Sequence, residues 1–74
     1  MNVTDLKRGQ KARIVDISAE EIPLKLMEMG CLPGNEISLV QKTHSQAPMY
    51  LNISDTHLAI RRNTAELITI ELMD

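Results

Sequence analysis

The stretch Glu20–Gly34, EEIPLKLMEMGCLPG, decides how the rest of the chain is read. It alone carries helical periodicity, and alternating strand-like runs flank it on both sides. With Ile22 as origin and about 100° per residue, Ile22, Leu26 and Met29 share a narrow arc and form one apolar stripe. Gly30 is placed to end the helix in a left-handed cap, and Pro33-Gly34 to turn the chain into the next strand. Leu24 and Met27 fall on roughly the opposite side. A short helix with two apolar faces has one to spare.

Working outward, Ser18-Ala19-Glu20-Glu21 matches a capping box before this helix. Pro23 is comfortable only in a first turn, so the spacing predicts a start at Ala19–Ile22 and an end at Met29 or Gly30. Upstream, Thr4–Gly9 reads as a lead-in anchored by Leu6. Lys11–Ile17 then alternates as a half-buried strand with Ala12 and Ile14 inward. Downstream, Glu36–Gln41 points Ile37 and Leu39 one way. A polar loop, Lys42–Pro48, leads to Met49–Ile53, with Met49, Leu51 and Ile53 inward. Ser54-Asp55-Thr56 turns the chain into His57–Arg61, with Leu58 and Ile60 inward, as an antiparallel hairpin. Asn63–Glu66 reads as one helical turn capped by Asn63, and Leu67–Leu72 closes as a strand with Ile68, Ile70 and Leu72 on one face. The class is therefore mainly β: a small, partly open barrel of about five antiparallel strands with one inserted α-helix.

The totals bound what this unit does. Seventy-four residues make one domain, 1–74, and such a chain buries only about 60% of its unfolded surface. The single Cys31 excludes an internal disulfide framework and points to a reducing compartment. No apolar run reaches the roughly 20 residues of a membrane span, and MNVTDLKRGQ lacks a signal peptide's apolar middle. The expected location is cytoplasmic, without membrane insertion. Net charge is −2 with dispersed basic residues and one aromatic, Tyr50. That disfavours nucleic acid, which needs a clustered positive face and stacking platforms. Few aromatics also argue against proline-rich peptides.

Set in this order and spacing, the residues resemble the FeoA family, ferrous iron transport protein A. The resemblance runs through Leu6, Gly9, Ala12, Ile14, then Leu26-x-x-Met29-Gly30-Cys31-x-Pro33-Gly34, Pro48, Leu58-Ala59-Ile60-Arg61, Ala65, Ile68 and Ile70. Departures are Lys25 where the family has Arg, Cys31 for a larger apolar residue, Gln46-Ala47-Pro48 without the usual Gly-Asp, and Ser54-Asp55-Thr56 without the usual Gly. The resemblance implies an SH3-like barrel and a non-enzymatic, cytosolic accessory protein of bacterial ferrous iron uptake. Its implied partner is the membrane GTPase transporter ferrous iron transport protein B. A related module forms the C-terminal domain of iron-dependent repressors, which leaves a metal- or protein-binding regulatory role as the alternative.

The chemistry-bearing residues read blandly. Cys31 has no nearby His to activate it and fits a small buried hydrophobe. Glu20 and Glu21 suit the positive end of the helix. Cys31, His44, Asp55 and His57 lie at no recognised ligand spacing, so no catalytic residue, metal site or cofactor is expected. Arg61 is expected to pack its stem and pair with a carboxylate such as Glu66, with Arg62 open to a phosphate or acidic partner. The sharper expectation is partner binding through Leu24, Met27 and Leu32. Burial of both helix faces in the barrel mouth and homo-oligomerisation through the same patch remain the other readings.

Overall fold

The computed structural model describes every residue except 42, 43, 45, 46 and 74. A single 3-10 turn, Val3–Asp5, precedes β1 (Lys11–Ile17), α1 (Leu24–Glu28), β2 (Glu36–Gln41), β3 (Met49–Ile53), β4 (Thr56–Ile60), α2 (Arg62–Ala65) and β5 (Ile68–Leu72). The strands form one antiparallel sheet in the order β4-β3-β2-β1-β5. The sheet is open, with β4 and β5 at its two ends.

Period-two patterning sets which face is buried. Ala12, Ile14, Ile37, Leu39, Met49, Leu51, Ile53, Ile60, Ile68 and Ile70 are all buried together, with Leu58 half-buried against them. Two bulges interrupt the alternation. Between Ile14 and Asp16 the β1–β5 register slips by one residue, so Val15 and Asp16 both face out and Ile17 returns to the core side. A second slip between Leu39 and Gln41 leaves Val40 and Gln41 both exposed. Such bulges sharpen local twist and help curl a short sheet around its core.

The 3-10 turn adds a core residue the alternation does not announce, since Val3 is fully buried. It has the reciprocal cap expected at Ser18: the Asn2 side chain accepts from the Thr4 N–H at 2.9 Å, and the Asn2 N–H donates to the Asp5 carboxylate at 3.0 Å.

The helix is shorter than the periodicity implies. The N–H groups of Glu21 and Ile22 both donate to the Ser18 carbonyl, closing a turn rather than a first helical turn. Pro23 then caps α1 with an extended ψ of 135°, and no side chain caps that end. The cause is local: a residue before proline avoids the α region, so Ile22 cannot lie inside the helix. Glu20 and Glu21 are thus in the preceding turn, and the first turn of α1 has no acidic residue. Smaller corrections follow at the C-terminal end. α2 starts at Arg62 with Arg61 as its cap residue, and the Asn63 side chain accepts from the Thr64 N–H instead of capping the helix. Leu72 keeps its parity but sits at the last rung, opposite Ala12, and is largely exposed. Most of the loop expected at Lys42–Pro48, including Gln46, lies outside the described residues.

Candidate partner-docking segment

α1 hangs between two buried anchors, Ile22 before it and Cys31 after it. Its exit is a Schellman motif. The Gly30 N–H donates to the Met27 carbonyl at 3.1 Å, and the Cys31 N–H to the Leu26 carbonyl at 3.0 Å. Gly30 stands at φ +108°, a left-handed conformation that glycine adopts without strain. The same sequence logic therefore ends the helix at Met29 and drives Cys31 inward.

Beyond Cys31 the loop is tied to the sheet and to itself. The Asn35 amide donates to the Gly30 carbonyl at 2.7 Å, and the Gly34 N–H donates to the Ile14 carbonyl at 2.7 Å. The Ile14 N–H donates in return to the Asn35 carbonyl at 2.9 Å. Backbone so thoroughly bonded holds its side chains in fixed directions. Two of these point out: Leu24 at the start of α1 is 66% exposed, and Leu32 after its end is 42% exposed.

Met27 differs from the expectation. It is half-buried and packs against the core with Leu26, so only part of it belongs to the outward surface. The segment 24–32 thus presents two leucines held by a bonded scaffold, with Met27 as a partial floor.

Cys31 is fully buried, and burial raises its thiol above the ordinary value of about 9, so the reactive thiolate is disfavoured. His44 and His57 are exposed. Among the described residues, no group of three or more His, Cys, Asp or Glu side chains is placed to hold a metal ion. Arg61 is exposed, and among the described residues no ion pair joins it to Glu66. The half-buried Arg62 instead sets its Nε inside the protein without a hydrogen-bond partner.

A polar hollow of about 370 Å³ opens on the other face of the sheet, lined by Lys11, Arg13, Glu36, Ser38, Asn52 and Asp55 among others. The Asn52 side-chain oxygen is buried there without a partner. Its lining leaves no mark in the sequence, because these residues are the outward half of ordinary strand alternation.

An open five-stranded antiparallel sheet, with one short helix between its first two strands and another before its last, defines a small SH3-like β domain. The chain belongs to the FeoA family: the FeoA domain matches residues 1–72. It is 32% identical over 74 residues to the Fe(2+) transport protein A/Fe(2+) transporter FeoB fusion protein of Porphyromonas gingivalis, covering 99% of this chain but 9% of that protein. The FeoA protein of Chlorobium tepidum superposes with a TM-score of 0.88 at 28% identity, over 100% of this chain and 71% of that one. Stenotrophomonas maltophilia FeoA, described as a prokaryotic SH3 domain protein and complexed with zinc, superposes at 0.80 with 21% identity, over 96% and 89%. This last likeness is one of fold alone. No helix among the described residues is long and apolar enough to cross a membrane.

Proposed function

We propose that this chain is a non-enzymatic, cytosolic accessory protein of bacterial ferrous iron uptake. It docks on the cytosolic part of the transporter FeoB through Leu24, Leu32 and the exposed part of Met27. The observation that carries this reading is the pair of exposed leucines flanking a short helix whose exit loop is held by hydrogen bonds, since apolar side chains fixed in water suit a contact surface. The fused relative supports the choice of partner. There a similar domain shares one polypeptide with the transporter, and covalent linkage gives two modules a high effective concentration for each other. Docking at a helix face alters the assembly or the GTPase-linked conformation of the transporter only if the chain binds its states unequally.

The test is isothermal titration of the chain into the purified cytosolic part of FeoB from the same host. Saturable binding that Leu24→Glu abolishes, with an unchanged circular dichroism spectrum, is expected. Equal affinity for wild type and the variant rejects the helix-face contact.

A further inference from the structure

The two ends of the sheet are treated differently. Along β5, the Ile70 N–H donates to the Met1 carbonyl at 2.9 Å, and Asn2 forms a bridge to Thr69, so the chain's own N-terminal residues cover that edge. Among the described residues, β4 pairs with β3 alone. Ser54 and Asp55 both have positive φ, 49° and 64°, the signature of a two-residue hairpin turn that makes Ile53–Thr56 a hydrogen-bonded pair. Bonded and non-bonded pairs then alternate. Thr56, Leu58 and Ile60 spend their N–H and C=O groups on β3, while those of His57 and Ala59 face away from it. Both residues are exposed. An open edge normally carries lysine, proline or a bulge to block further pairing, and Thr56–Ile60 has none of these.

The sequence across this edge is self-complementary. In an antiparallel register centred on Leu58, His57 faces Ala59 of a second copy, and each N–H meets the opposite C=O. Two residues per copy, each with one donor and one acceptor, close four hydrogen bonds. Asp55, in the turn just before β4, and Arg61, just after it, carry opposite charges at the two ends of the edge, and the antiparallel two-fold brings each end of one copy alongside the opposite end of the other. Arg61 continues the strand direction, with φ −66° and ψ 150°. Beside the edge lies a shallow apolar hollow lined by Val40, Tyr50, Leu58 and Ala59, and pairing would set the two hollows on one continuous face. We propose that two copies of this chain associate through antiparallel β4–β4 pairing, with Asp55 and Arg61 fixing the register. The proposal uses none of the residues assigned to transporter docking and stands apart from it.

Sedimentation equilibrium of the full chain over rising concentration, at low and high salt, is the test. A reversible dimer, weakened by salt, is expected. Arg61→Glu places like charges at both ends and is expected to weaken it on the order of tenfold. Adding Asp55→Asn, which keeps a residue tolerant of the left-handed turn, should recover part of the loss. Amide exchange read by NMR supplies the independent measurement. The His57 and Ala59 N–H groups should slow with concentration, while Leu58 and Ile60 stay protected throughout. A monomer at all concentrations overturns the proposal. So does a dimer indifferent to Arg61→Glu, or one that leaves the His57 and Ala59 amides in fast exchange; an edge that takes only a peptide of another protein would show itself as the first of these.

Discussion

Leu24 offers the sharpest separation of docking from folding. Fully burying a leucine contributes about 1.5–3 kcal/mol. With 66% of its surface in water, some two-thirds of that remains to be gained on contact, about 1–2 kcal/mol on the same scale. Leu24→Ala should therefore raise the Kd for the cytosolic part of FeoB by roughly 5- to 30-fold. The fold should hardly notice, because an exposed substitution at a helix start shifts stability by about 0.5 kcal/mol or less. Leu32→Ala should behave alike but more weakly, being 42% exposed. Met27→Ala is the contrasting control: its half-buried side chain packs on the core, so it should lower the urea midpoint as well as affinity. Titration calorimetry reads the first quantity and urea denaturation the second. If Leu24→Ala and Leu32→Ala bind like wild type at unchanged midpoints, the exposed leucines are not the contact and the reasoning from exposure fails.

Three further outcomes follow from the same segment. Gly30→Ala forces a left-handed φ of +108° on a residue with a Cβ; the space there admits it, with Ser54 in ordinary contact at 3.6 Å, so the cost is backbone strain. It should cost about 1–3 kcal/mol, seen in a thermal melt as a fall of roughly 5–20 °C; an unshifted melt would mean that the helix exit can be rebuilt. Asn35→Ala leaves the Gly30 carbonyl without its 2.7 Å side-chain partner. A loss of about 1–2 kcal/mol is expected in urea denaturation, with the Leu32 methyl resonances broadened. The buried Cys31 has its pKa raised by desolvation, so its neutral form is favoured in the folded chain. Its stability contribution is intact below the unfolded thiol's pKa and is lost as pH rises through the folded one. Urea midpoints should fall on the alkaline side of about pH 9, and Cys31→Ala should flatten that part of the profile.

The strands were legible because each buries one face, and a period of two then stamps itself on every other residue: Met49, Leu51 and Ile53 are inward without exception. The turn residues were legible for a similar reason. Gly30 and Ser54-Asp55 sit where a positive φ is needed. The helix was less so, for a definite physical reason. Ile22 lies before the proline and outside α1, so helical angles reckoned from it do not fix the side on which Met27 falls. A helix of five residues completes little more than one turn, too few for periodicity to fix which side is buried. The bulges at Val15 and Val40 left no trace either, since an extra residue in a strand looks in sequence like ordinary alternation that slips.

The corrected helix makes a better docking element than the longer one expected from periodicity. A free-standing turn of helix is unstable in water, and ordering it on contact would consume binding energy. Here the order is already imposed from outside, by buried Ile22 and Cys31 and by the Asn35 amide on the Gly30 carbonyl. Leu24 and Leu32 are therefore presented at little further entropic cost, which is the condition for a small contact to be specific. That surface belongs to the segment joining β1 to β2, whereas the open edge belongs to β4 at the far end of the sheet order. A pair of chains joined at β4 would carry two such leucine surfaces at once. Where both find sites on one assembly of transporters, the second contact becomes intramolecular and modest single-site affinity suffices.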